Sequence, residues 1–221
     1  MLRAGLTGGL GSGKTTVAAI FRSLGAHILE ADAIGRELMQ PGQPVYGAIV
    51  AHFGPEVIQP SRELNRKALA ELAFRHNRLA ELNHLVHPAV IAEQENRAKT
   101  IFAEDPHAIV IVESALIFEA SSEAQRQPTV PNWNKRFDRI ILVTAPVELR
   151  IARYVERMRQ QPKAHSVEEI EADARARIAA QIPDSEKIPL VNYVIENDGH
   201  LEKTQQQTKQ VFEELKQLAQ A

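Results

Sequence analysis

GLTGGLGSGKTTVAAIF, residues 5 to 21, decides how the rest of the chain is read. It sets five glycines, four hydroxyl residues and one lysine in front of an apolar helical pattern. Gly8, Gly13, Lys14 and Thr15 stand at the Walker A spacing, after a strand-like run and before a helix-like one, where that motif works. The glycines let the backbone curl into a nest whose N–H groups, from Leu10 through Gly11 and Ser12 to Thr15, point at phosphate oxygens. The helix from Thr16 adds its positive N-terminal end. Lys14 is read as an exposed loop charge reaching the β- and γ-phosphates, and the Thr15 hydroxyl as a Mg²⁺ ligand. Gly8, Leu10, Gly11, Ser12, Gly13, Lys14, Thr15 and Thr16 are therefore the candidate residues for binding a nucleoside triphosphate, which the resemblance given below implies is ATP.

Outward from the loop, five short segments read as strands: Leu2–Thr7, His27–Ala31, Ile109–Glu113, Arg139–Thr144 and Tyr193–Glu196. Most are nearly continuous apolar runs, as parallel strands covered on both faces require. Helical patterns separate them; Val17, Ile20, Phe21 and Leu24 share one stripe, and Gly25 supplies a stop. Repeated βα units predict an α/β fold with a doubly wound, five-stranded parallel sheet. Residues 33–106 hold no convincing strand and are too long for a simple crossover, so they read as a helical lobe inserted at the sheet's edge, which the resemblance given below implies is the acceptor-binding lobe. Its predicted helices are Arg66–Arg75 and Pro88–Phe102, with Pro88 at a helix start. Residues 120–136 read as an exposed loop, and residues 147–181 as an arginine-rich helical lid broken near QQPKAHS. A tail helix from Leu201 puts Val211, Phe212, Leu215 and Leu218 on one apolar stripe. Residues 1–32, 107–146 and 182–221 are left as the nucleotide-binding core of a single domain.

Composition narrows the partners. A net charge of −2 over 221 residues leaves no basic footprint for nucleic acid or an anionic membrane. The chain has no cysteine, which removes disulfides, thiolate metal sites and a cysteine nucleophile, and fits a cytoplasmic setting. No apolar run approaches the ~20 residues of a membrane helix, and no signal peptide is read. The expected partners are small molecules, and the expected state is a monomer.

Three classes share such a loop: a small-molecule kinase, a GTPase switch and an ATP-driven motor. Asp32–Gly35 matches the GTPase D-x-x-G, but it arrives directly after the second strand, without room for a switch loop. Asn134–Asp138 nearly matches N-K-x-D, yet Phe137 occupies the aspartate position. A motor needs a longer chain. A kinase needs a lobe for its acceptor, an acid beside the acceptor hydroxyl, and arginines to neutralise the moving phosphoryl group. Asp32 follows the second strand, where strand ends open into the ligand crevice, and a carboxylate there can take or orient a hydroxyl proton. Its alternative role is a helix N-cap. Glu30 points along the same crevice. Glu113 closes the apolar run from Ala108 to Val112, either holding magnesium's water shell or ending as a solvated strand terminus. Arg150, Arg153 and Arg157 lie at i, i+3 and i+7 on one helix face, and Arg153 and Arg157 are the catalytic candidates. The histidines are not at metal-ligand spacing.

In GLTGGLGSGKTT, EADAIGREL, ELNRKALAELAF, ELNHLVHPAV, ESALIFEA, ARARIAAQ and VNYVIENDG, taken in that order, the chain resembles the dephospho-CoA kinases over nearly its whole length. That resemblance implies a P-loop nucleoside triphosphate hydrolase type of fold. It also implies transfer of the ATP γ-phosphate to the 3′-hydroxyl of dephospho-CoA, the last step of coenzyme A synthesis, with ATP and Mg²⁺. The catalytic candidates are then Asp32, Lys14, Arg153 and Arg157; Asp32, Arg66, His87 and Glu113 are the acceptor-binding candidates. Glu30 and Glu113 stand where that family commonly has aspartate, and Arg150 where it has glutamine.

Overall fold

A computed structural model describes residues 1–72, 78–119, 132–160 and 166–220. Five parallel strands, β1 (Leu2–Thr7), β2 (His27–Glu30), β3 (Ile109–Glu113), β4 (Arg139–Thr144) and β5 (Tyr193–Glu196), form one sheet in the order β2-β3-β1-β4-β5. Their continuous apolar runs are explained by burial on both sides: Leu6, Val110, Ile111, Ile141 and Leu142 are inaccessible to solvent. On one face α1 (Lys14–Ser23) and the final helix α10 (Leu201–Gln220) pack Val17, Phe21, Phe212 and Leu215 against Leu6, Ile141 and Ile195. On the other face Ile34, Val90, Ala98 and Phe118 cover Val110, Val112 and Ile140. The predicted stripe of the last helix is corrected at its end: Leu218 is exposed and Ala219 faces the core.

The segment between β2 and β3 is helical: α2 (Ala31–Leu38), α3 (Pro44–Phe53), α4 (Arg66–Ala70) and α5 (Leu79–Glu104). Val45, Ile49, Phe53, Val57, Leu64 and Leu69 make an apolar cluster of their own, joined by Leu82, Leu85 and Val86 from the first half of α5. The second half of α5 lies on the sheet. One helix of 26 residues, about 39 Å long at 1.5 Å per residue, thus braces both regions. Pro88 stands inside this helix rather than at its start. Lacking an N–H, it leaves the His84 carbonyl without its usual helical partner, an interior cost of ~3 kcal/mol that packing at both ends must offset. The end of the predicted 66–75 helix lies outside the described residues.

So does most of the 120–136 loop, but its end departs from the exposed-loop reading. Trp133–Arg136 forms a helical turn, α6, in which Arg136 is buried and Trp133 meets Phe118 edge-on. Beyond β4, α7 (Val147–Arg159) and α8 (Val167–Ala179) pack through Ile151, Tyr154, Ile170 and Ala174, and a Ser166–Glu169 capping box starts α8. The predicted break at residues 161–165 lies outside the described residues. A short helix, α9 (Asp184–Lys187), leads back to the sheet.

Candidate active site

Residues 8–13 turn the chain from β1 into α1. Gly13 is the N-cap of α1 with φ 90° and no side-chain cap, so the first amides of the helix are left to an outside acceptor. A Cβ on Gly13 would strike the Asn197 amide, and one on Gly11 (φ 70°) the Arg150 carbonyl. The loop is held between two walls. On one, Arg150 Nε donates to the Leu10 carbonyl at 2.8 Å and Nη1 to Asp184 at 3.3 Å. On the other, the buried Asn197 donates to the Ser12 carbonyl at 2.9 Å.

Two expectations about this loop are corrected. The Leu10 N–H does not face the cleft as a free phosphate donor; Gln181 Oε1 accepts its hydrogen bond at 2.9 Å. Lys14 is not an exposed loop charge either. It is half-buried, and its Nζ donates to the carbonyls of Gly8 at 2.8 Å and Gly9 at 3.3 Å.

A cleft of about 610 Å³ opens above the loop. It gathers Leu10, Gly11, Gly13, Lys14 and Thr15 with the carboxylates of Glu30, Asp32 and Glu113 and with Arg36, Arg153 and Arg157. Gly8, Ser12 and Thr16 do not line it. Gly8 backs onto the Val143 carbonyl, Thr16 is exposed on α1, and the buried Ser12 hydroxyl has no hydrogen-bond partner among the described residues. On the lobe side a second cavity, about 320 Å³, brings Asp32, Arg66 and His87 together with Val86, Val90 and Ile91. Glu113, expected on the acceptor side, belongs to the phosphate cleft. Asp32, Arg36 and Ser114 line both spaces, so the two communicate.

The reading of Asp32 as a helix cap is also corrected. Glu30 holds the N-cap position of α2, without a side-chain cap bond, and Asp32 lies inside the first turn. Glu30 lines the cleft and also pairs with Arg22 at 2.8 Å.

The arginine row divides into different roles. Arg150 is buried structure rather than a solvated face. Arg153 donates to the Gly11 and Ser12 carbonyls at 3.3 and 3.4 Å and to Asn197 at 3.1 Å. Arg157 is exposed, its guanidinium 5.3 Å from the Tyr154 ring centre. Arg157→Ala is therefore expected to lower turnover about 10²-fold while moving stability by less than about 0.5 kcal/mol. Arg153→Ala should lose rate and also about 1 kcal/mol or more of stability, because loop carbonyls lose donors. Thermal melts beside steady-state rates separate the two, and a normal rate in Arg157→Ala removes it from the catalytic set.

Burial pushes the Lys14 ammonium below its ordinary value, opposed by the charges of Glu113 and Asp32. Burial likewise pushes Glu113 up; Lys14 opposes this, and Asp32 and Glu30 add to it. A carboxyl raised in the folded state binds protons more tightly there than in the unfolded chain. Stability is then lost as pH rises through its titration, and the ionised group is a net burden at neutral pH. Glu113→Gln is expected to melt above wild type near about pH 8, with the gap closing below about pH 4, while losing turnover. Scanning calorimetry of the ligand-free protein checks the sign, and a variant that melts lower at about pH 8 refutes it.

Several residues around the site were invisible as sequence. Asn197 follows β5 directly, and its contact with the loop is not readable from its run of sequence. Gln181 reaches the loop at Leu10 from 171 positions away, and Asp184 reaches Arg150, which holds the loop, from 34 positions away. Lys187 is wholly buried and pairs with Glu119 at 3.0 Å. Arg136, in the lobe-side cavity, donates to Gln94 at 3.0 Å, and burial pulls its guanidinium down to about 10.

Comparison with known proteins gives the family of the chain. The dephospho-CoA kinase family profile matches residues 2–203. A dephospho-CoA kinase from Moorella thermoacetica is 35% identical over 97% of this chain and 92% of its own. One from Aquifex aeolicus is 34% identical over 97% of this chain and 98% of its own. Among solved structures, TT1252 from Thermus thermophilus superposes with a TM-score of 0.72 at 32% identity, covering 97% of each chain. A phosphate loop, a neighbouring cavity that shares its acid, and relatives matched from end to end place this chain in the dephospho-CoA kinase family.

Proposed function

We propose that the protein transfers the γ-phosphate of ATP to the 3′-hydroxyl of dephospho-CoA, giving coenzyme A and ADP. The observation that carries this reading is the sharing of Asp32, Arg36 and Ser114 between the phosphate cleft and the lobe-side cavity. An acceptor seated in the cavity presents its hydroxyl where the cleft holds the terminal phosphate. Asp32 orients that hydroxyl and accepts its proton as the bond to phosphorus forms. Lys14 leaves the Gly8 and Gly9 carbonyls for the β- and γ-phosphate oxygens. Arg157, and Arg153 beside it, balance negative charge on the phosphoryl group in flight. The helices of residues 147–181 act as the lid that brings these arginines in, and the helices between β2 and β3 act as the acceptor lobe.

Mg²⁺ suits the donor set: Thr15 offers a hydroxyl in a cleft that already holds the Glu30, Asp32 and Glu113 carboxylates, all oxygen donors of the kind a hard cation takes. Thr15 would ligate it and Glu113 would hold its water shell. When bound it would offset negative charge on the triphosphate. Among the described residues no helix is long and apolar enough to cross a membrane. With a net charge of −2, the absence of a basic footprint supports small-molecule partners alone, and we place the protein in the cytoplasm as a monomer.

Coupled ADP release with dephospho-CoA, nucleoside monophosphates, gluconate and shikimate tests the assignment. Preference for dephospho-CoA is expected. Preference for another acceptor overturns the substrate, and hydrolysis indifferent to every acceptor overturns the kinase.

A further inference from the structure

Gln181 stands in the turn that follows α8. That helix stops at Ala179, and Pro183, which has no N–H with which to continue a helix, caps α9. The Gln181 N–H closes the turn on the Ile178 carbonyl at 3.2 Å, and Asp184 pairs with the buried Arg150 at 3.3 Å, so the turn is pinned beside the phosphate loop. Both hydrogen bonds to the Gln181 side chain end on its oxygen: from Leu10 N–H at 2.9 Å and from Arg150 Nη2 at 3.4 Å. A backbone N–H and a guanidinium can only donate, so the carboxamide has a single orientation. Its NH₂ then has no hydrogen bond among the described residues, on a half-buried side chain that lines the phosphate cleft. Two donors on the oxygen polarise the carboxamide and strengthen its own N–H groups. Lys14 is close by. Its ammonium donates to the Gly9 carbonyl at 3.3 Å, and a Cβ on Gly9 would come within 2.9 Å of the Gln181 oxygen. The same Cβ would strike the Arg150 guanidinium, so Gly9 is bare where the Gln181 carboxamide lies against it.

We propose that Gln181 is a further catalytic residue, whose NH₂ donates a hydrogen bond to an oxygen of the γ-phosphate. It stands in for the Leu10 amide, which its own oxygen takes out of the cleft. The assignment rests on the kinase reading and deepens it at the phosphate that moves rather than at the acceptor. No proton leaves the carboxamide. As the bond from phosphorus to the leaving ADP oxygen breaks and the bond to the acceptor oxygen forms, a fixed neutral donor steadies the equatorial oxygens without adding a further full charge to a cleft that already holds Lys14, Arg153 and Arg157. Because Gln181 lies one residue beyond the cap of α8, the contact also ties the position of that helix to the γ-phosphate, which ADP lacks.

Two substitutions of similar length separate a donor to phosphate from a prop for the loop. Gln181→Glu keeps an acceptor oxygen for Leu10 and Arg150 but has no N–H, and Gln181→Met has neither, and no charge. Each is expected to lower kcat with ATP and dephospho-CoA by ~10–100-fold, the usual loss when a donor to a charged group is removed. Calorimetric titration with ADP, and with an ATP analogue carrying a methylene between the β- and γ-phosphorus, should show the affinity ratio of analogue over ADP falling in both variants. A slow Gln181→Met beside a wild-type rate in Gln181→Glu means that the oxygen's hold on the loop is the whole role, and overturns the proposal. A slow Gln181→Glu beside a normal Gln181→Met is charge repulsion, and overturns it too. So do normal rates in both, or ADP affinity falling as far as that of the analogue. Each of these outcomes leaves the kinase assignment standing. Wild-type protein that turns over no dephospho-CoA overturns that assignment instead, and with it the catalytic role given to Gln181.

Discussion

Asp32→Asn is expected to reduce turnover by ~10²–10⁴-fold with ATP affinity nearly unchanged. The substitution keeps the shape of the side chain and removes the basic oxygen that faces both the phosphate cleft and the acceptor cavity. ATP affinity should hold because, on the proposed reading, the triphosphate is bound by the loop rather than by Asp32. The fold should hold too. Asp32 is exposed inside the first turn of α2 rather than at its cap, so the loss is limited to its favourable interaction with the helix dipole, about 0.3–1 kcal/mol. Rate, ATP affinity and magnesium dependence measured on this one variant separate the readings. A wild-type rate removes Asp32 from the chemistry, and a rate restored only at higher magnesium moves it to the metal's surroundings.

Lys14→Ala is expected to lower turnover by ~10²–10³-fold, the usual cost of losing a donor aimed at charge that develops in transfer. Its effect on the ligand-free protein differs from that of an ordinary surface lysine. The ammonium is half-buried and satisfied by the Gly8 and Gly9 carbonyls, so removal both frees two loop acceptors and relieves a desolvated charge. These act in opposite directions, and the melting temperature should move little. Near-normal turnover in Lys14→Ala, with unchanged melting, would sink the phosphate-loop reading.

The sheet was legible because its strands carry their own signal. Runs such as Ile109–Glu113 and Arg139–Thr144 are apolar at nearly every position, which only burial on both faces explains. The phosphate loop was legible because its chemistry is local. Glycine spacing, the lysine and the following helix all lie within residues 8–23. That Asp32, Arg153 and Arg157 line the cleft followed from strand ends and helical spacing, which are also short-range rules.

What failed was nearly always a matter of distant context. Pro88 looked like a helix start because its local preference is to begin helices, yet packing of α5 against both the lobe and the sheet carries the helix through it. Lys14 looked exposed because nothing in a loop sequence tells where the loop lies relative to Glu113 and Asp32. Gln181, Asn197 and Glu119 lie within the quoted stretches ARARIAAQ, VNYVIENDG and ESALIFEA, but nothing in those stretches names the partner each meets across the fold.

By itself, then, the sequence determined the strand-and-helix order, the nucleotide loop and the acid that follows β2, because each rests on periodicity or on groups a few residues apart. Only the tertiary structure decided that Arg153 clamps the loop while Arg157 stays exposed beside Tyr154, and that Gln181 occupies a loop amide. It alone joined the cleft to a cavity walled by α2, α4 and α5. Burial, ion pairing and shared walls depend on which segments the parallel sheet brings side by side, and a chain read in order does not contain those distances.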